Sequence, residues 1–174
     1  MKGLALVLFI AAAACSPANA PASGQASPAF HAVAGGCAGT VVTDAVPPKW
    51  AQSGWSHTSG TPWPVPWSMG TGGGSLAYVF AGQLVAGQSP RVDGSNNKVL
   101  WVLRDHVSTF TVTGRPLGQS LPVLSVEAGP SIVDAPSAGC WTFTLAWNAN
   151  GRHASTINLE VLPKGSVPPM IAGS

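Results

Sequence analysis

The stretch that decides the fold is "CWTFTLAWNANGRHASTINLEVL", residues 140–162. Trp141, Phe143, Leu145 and Trp147 alternate with Thr142, Thr144 and Ala146. A period of two puts the large apolar side chains on one face of a strand and the threonines on the other. "NANGR" then turns the chain, with Asn150-Gly151 as the hairpin signal. Beyond it, Ile157, Leu159 and Val161 share one face, and Asn158 and Glu160 the other. Two such strands pair antiparallel, and their common apolar face needs a second layer to cover it.

Working outward, the same pattern recurs. "KVLWVLR" (98–104) is almost continuously apolar and reads as a strand buried on both faces. "VSTFTVTG" (107–114) turns Phe110 and Val112 inward and Thr109, Thr111 and Thr113 outward. "LAYVFA" (76–81), "LPVLSVE" (121–127) and "AGTVVTD" (38–44) are further strands. Glycine and proline interrupt every ten residues or so, and helical periodicity is nearly absent after the first segment. Seven or eight short strands predict an all-β protein, a two-layer antiparallel β-sandwich. It is immunoglobulin-like in architecture only, because a tryptophan directly after the second cysteine is not the antibody spacing.

One segment breaks the pattern. "PPKWAQSGWSHTSGTPWPVPWSMG", residues 47–70, sets Trp50, Trp55, Trp63 and Trp67 among five prolines and reads as neither helix nor strand. Long loops without structure of their own tend to be functional or disordered, and disordered chain is poor in aromatics. Three readings stay open. The loop is a lid over hydrophobic core, each indole burying some 150–250 Å². Alternatively it is a ligand surface on which the four tryptophans stack sugars, with Lys49, His57 and Arg91 adding polar contacts. The third reading is a membrane-facing belt. The run "GTGGGS" (70–75) lacks the lysine of a phosphate loop and precedes a strand, so it reads as a tight turn into "LAYVFA".

The ends speak of a compartment. "MKGLALVLFIAAAACSPANA" has one lysine, about a dozen apolar residues and then small ones, the layout of a bacterial export signal. Two processing sites compete. "AAAC", ending at Cys15, resembles the lipobox of bacterial lipoproteins and would lipidate that cysteine. "ANA", ending at Ala20, would release a secreted chain. The expected organisation is an export signal at 1–15 and a disordered Ala/Pro/Ser/Gly tether at 16–36. The β-sandwich follows at 37–163, with a flexible tail at 164–174. By the random-coil rule the tether spans roughly 25 Å. The expected location is the extracellular face of the cell membrane, or secretion after cleavage at Ala20.

Charge is sparse, with eight basic and six acidic residues. No basic face for a nucleic acid is visible. Cys37 and Cys140 remain once Cys15 is acylated or removed. An exporting compartment permits a disulfide between them. Closing a loop of about 100 residues is worth roughly 4–5 kcal/mol in the chain-entropy view. Two buried free thiols are the competing reading.

"NKVLWVLR", "RPLG", "PSIVDAPSAGCWTFTLAW" and "STINLEV" together resemble a family of exported or lipid-anchored Gram-positive bacterial proteins carrying NKxLWxxR and PSxVDxPxxGCW blocks. The resemblance covers roughly residues 62–162, and "PSIVDAPSAGCW" is its most specific part. That family is largely uncharacterised. The resemblance implies a β-sandwich envelope domain with no established activity or catalytic residues.

The reactive residues are thinly spread. No two of His31, His57, His106 and His153 have the spacing of paired metal ligands, and no C-x-x-C occurs. There is no G-x-S-x-G elbow and no S-x-x-K. The acids Asp44, Asp93, Asp105, Glu127, Asp134 and Glu160 mostly fall beside Gly, Pro or Ser. Asp93 reads as a turn residue, and Asp134 as a partner of the turn before Cys140. The expectation is a non-catalytic cell-envelope lipoprotein domain, a binding or interaction module without cofactor or metal. Its expected partners are the membrane, through the lipid anchor, and a cell-wall glycan or another envelope protein. The alternatives are an envelope hydrolase with a site the motifs do not show, or a structural component of envelope assembly.

Overall fold

The computed structural model describes residues 31–105, 107–148 and 153–168. The signal, Cys15, most of the tether, His106, residues 149–152 of the "NANGR" turn and residues 169–174 lie outside the described residues.

The regular structure of the described chain is β, apart from two short 3₁₀ turns. Its strands are β1 (Ala32–Val33), β2 (Val42–Thr43), β3 (Trp67–Met69), β4 (Ser75–Val79), β5 (Leu84–Val85), β6 (Lys98–Leu103), β7 (Phe110–Pro116), β8 (Leu124–Val126), β9 (Pro130–Ile132), β10 (Gly139–Trp147) and β11 (His153–Leu162). The first sheet has the order β1-β2-β3-β4-β6-β9, and the second β5-β11-β10-β7-β8. The second sheet is built on the hairpin of residues 140–162, where Cys140 faces Glu160 and Trp147 faces His153.

The two sheets close on one core. Trp141, Phe143, Leu145, Ile157, Leu159 and Val161 of the second sheet meet Ala77, Val79, Val99 and Trp101 of the first. The rings of Trp101 and Phe143 lie 5.3 Å apart across the interface. Every inward residue expected of β10 and β11 is buried. Period-two alternation leaves no other choice once one face is covered.

The structure refines the expectation in four places. The strands number eleven among the described residues, several only two or three long. The sheets are not wholly antiparallel, because β5 runs parallel to β11 and pairs Leu84 with Val161. Trp67 is not on the loop but opens β3, between β2 and β4; the prolines at 62, 64 and 66 had hidden so short a strand. Residues 32–36, inside the stretch read as tether, join the fold. β1 pairs with β2, the Gly35 carbonyl accepts from Glu160 N and Gly36 bridges Leu159. Main-chain pairing needs no apolar period, so composition gave no warning of it.

Cys37 and Cys140 form a disulfide. Cys140 alternates with the core residue Trp141, so the bridge lies on the outward face of the second sheet. It ties the incoming chain to that face rather than joining the sheets through the core. The glycine run behaves as expected. Gly72 and Gly73 take positive φ, 72° and 67°, and deliver the chain into β4.

Candidate functional site

β4 and β6 decide what the tryptophan loop does. Their inward residues fill the intersheet core, but Leu76 and Tyr78 of β4 and Leu100 and Val102 of β6 point the other way and are still apolar. That outer face needs a cover. The loop between β2 and β3 supplies it, forming a second cluster of Ala51, Trp63, Val65, Trp67, Leu76 and Tyr78. Trp50, Trp55, Met69, Leu100 and Val102 pack against it, half-buried.

The loop is fastened at intervals by its own backbone. Lys49–Ala51 is a 3₁₀ turn held by Ala51 N donating to the Pro48 carbonyl, and Gln52 Nε2 donates to the Pro47 carbonyl at 2.6 Å. Trp63 N donates to the Asp44 carbonyl and Trp67 Nε1 to the Ala45 carbonyl, both at 2.6 Å. Tyr78 Oη, from the sheet beneath, donates to the Ala51 carbonyl at 2.7 Å. Burial pushes the Tyr78 phenol up to about 12, so at ordinary pH it is a fixed donor and no base.

The structure places the four candidate tryptophans differently. Trp63 is 2% exposed and Trp67 is buried on β3. Trp55 lies half-buried among Tyr78 (4.9 Å between ring centroids), Trp63 (5.8 Å) and Phe80 (5.9 Å, stacked). Trp50 is half-buried beneath the Arg104 guanidinium, 5.6 Å from its ring centre. Neighbours within the protein therefore stand against the rings of Trp50 and Trp55. Trp50 Nε1 and Trp63 Nε1 are buried with no hydrogen-bond partner among the described residues. Of the three polar candidates, only His57 meets this cluster, its ring 4.9 Å from that of Trp63 and Nε2 2.9 Å from the Thr61 carbonyl. Lys49 is exposed on the 3₁₀ turn. Arg91 is engaged on the β5–β6 connection, donating to the Gln83 carbonyl and pairing with Asp93 at 2.8 Å.

Sequence reasoning missed Tyr78, Phe80, Lys98 and Arg104 as parts of this cluster. Lys98 Nζ sits 5.0 Å over the Phe80 ring at its rim. The signal was present: Leu76, Tyr78 and Phe80 alternate with Ala77 and Val79, so "LAYVFA" is apolar on both faces.

The acids hold connections in place. Asp93 accepts from Ser95 N and Oγ and from Arg91; the Ser95 bonds first, then Arg91, hold its carboxyl down to about 2. Asp134 does not bond the turn before Cys140. It accepts from Ser89 N and Oγ and so ties the β9–β10 connection to that between β5 and β6. Asp105 accepts from Trp147 Nε1 at 3.0 Å, and Glu160 from Gln83 Nε2 at 3.1 Å. Among the described residues, no three His, Cys, Asp or Glu side chains gather into a metal-holding group, and no helix is long and apolar enough to cross a membrane.

No family model, curated protein or solved structure matches this chain.

Proposed function

We propose that the protein is a non-catalytic module of the bacterial cell envelope, held to the membrane by acylated Cys15 and working by contact. One observation supports the non-catalytic part: four of the six acids, Asp93, Asp105, Asp134 and Glu160, are engaged by serine, arginine, tryptophan or glutamine partners within the fold. Each of these carboxylates serves a local structural contact, and none converges with another on a shared cleft. The apolar leader, the lipobox-like "AAAC" and the envelope-family resemblance support the anchored part. The tryptophan loop serves as the cover of the first sheet, and contact with a partner falls to other surfaces.

The test is fractionation of Gram-positive cells expressing the full chain or Cys15→Ser. The unmodified chain should sediment with membranes and be open to protease added outside intact cells. It should also incorporate an acyl label, and Cys15→Ser should not. A chain that takes up no acyl label at Cys15, or a mature chain starting at Pro21, contradicts lipid anchoring.

A further inference from the structure

The strand registers give the sandwich two distinct ends. Pro116 at the close of β7 lies opposite Trp141 near the start of β10, and Gly139 lies opposite Val161 near the close of β11. Val85, at the close of β5, is bonded to Asn97 just before β6. The β5–β6, β7–β8 and β9–β10 connections therefore share one end with the segment after β11. β1 is antiparallel to β2, β2 to β3, β3 to β4 and β4 to β6, so β1 and β6 run the same way. The chain thus enters the fold from this same end.

Most of the large apolar side chains left exposed among the described residues lie at this end, although Val41, 59% exposed just before β2, does not. On the β7–β8 connection, Leu117, Leu121 and Val123 are 51%, 74% and 55% exposed. Val92 and Val167, on neighbouring connections of the end, are 70% and 64% exposed. From Pro116 to Val126 the chain has no charged side chain. The connection is held in shape: Leu117 N donates to the Cys140 carbonyl, Gln119 N to Pro116 and Val123 N to Gly114. Cys140 is in turn bonded to Cys37. Three exposed aliphatic side chains on a fastened, uncharged loop, one disulfide from the incoming chain, fit a shallow apolar phase. Part of the loop's main chain is already paired, which lowers the penalty of leaving water.

We propose that this end of the sandwich rests on the lipid bilayer, with the β7–β8 connection inserting Leu117, Leu121 and Val123 among the headgroups and upper acyl chains. The proposal rests on the anchored reading above and adds an orientation to it. The chain that leads back to Cys15 departs from the end that faces the membrane, so anchor and loop act on one surface. Each aliphatic side chain buried at an interface strengthens partitioning by about tenfold or more, which makes the loop a second attachment beside the acyl chains.

The experiment uses the full chain with Cys15→Ser, so that an introduced cysteine is the sole free thiol. A solvatochromic dye is attached at Leu121→Cys or, at the opposite end, at Ala154→Cys. Each is mixed with phosphatidylcholine vesicles, with and without phosphatidylglycerol. The expected result is a blue shift at position 121, quenched by brominated lipid, with position 154 unchanged. No shift at 121, or equal shifts at both positions, overturns the orientation. Acyl labelling at Cys15 reads the anchored proposal separately, so the two fail independently.

Discussion

The two apolar clusters of this protein are built on opposite faces of the same strands and by different means. The intersheet core is strand against strand, with Trp101, Trp141, Phe143 and Ile157 locked by register. The outer cluster is strand against loop, with Leu76 and Tyr78 below and Trp63 and Val65 above. A sheet face needs area to cover it, not a particular backbone. Prolines reduce the freedom the chain loses on ordering, and each indole contributes a large buried surface. A few such residues therefore do the work of a third layer. The loop cover is the less complete of the two, because it leaves two indole N–H groups without a partner among the described residues.

The largest effect should come from the intersheet core. Trp101→Ala removes a 2% exposed ring and the hydrogen bond to Ser131 Oγ. It should cost about 3–5 kcal/mol in denaturant unfolding. Cys37→Ser with Cys140→Ser opens a bridge across 103 positions, and should cost about 2–5 kcal/mol. Next comes the loop. Trp63→Ala should cost about 3 kcal/mol and free the loop before the strands. Exchange should quicken at the Ala51 and Trp55 amides and stay slow at those of Phe143 and Ile157. A loss below about 0.5 kcal/mol, the scale of a surface substitution, would break the comparison, since the loop would then not be core.

Smaller effects sharpen it. Tyr78→Phe removes the bond that fastens the Ala51 carbonyl to the sheet, and should cost about 1–2 kcal/mol. It also carries a pH signature. The folded phenol is raised from 10.0 to about 12, so its share of stability is full below pH 10 and lost as pH rises to 12. Alkaline destabilisation in that window should be reduced in the phenylalanine variant. Asp93 has the opposite sign. With its carboxyl lowered from 3.8 to about 2, its contribution is present above pH 3.8 and lost as pH falls towards 2. It is exposed and remote from both clusters, so Asp93→Asn should flatten the acid limb slightly and leave the rest of the unfolding curve unchanged.

Legibility in the sequence follows the same divide. The alternation of Trp141, Phe143, Leu145 and Trp147 gave their common face, and "KVLWVLR" announced a strand buried on both sides. From that second observation a cover for Leu100 and Val102 was already required. What the sequence could not say was which segment supplied it, because loop-to-sheet packing has no period. Four tryptophans on an irregular stretch fit a lid and a platform equally well until Trp63 is seen beneath the loop and Trp67 is seen on β3. The short strands β1, β5 and β9 were illegible for a related reason: two or three residues are too few to show alternation. "LPVLSVE" read as one strand, but Leu121–Val123 fall on the β7–β8 connection and only Leu124–Val126 are paired; the role of that connection depends on which end of the sandwich receives the chain, and only the strand registers give that.

The most direct test of the loop as a second core leaves the protein unmutated. Hydrogen exchange of the full chain should show the Ala51 and Trp63 amides, bonded to the Pro48 and Asp44 carbonyls, protected by about 3 kcal/mol or more, the scale of cooperative sub-global opening. Exchange of those two amides at the rate of free peptide, beside protected amides in β10 and β11, would contradict it and return the tryptophans to the surface.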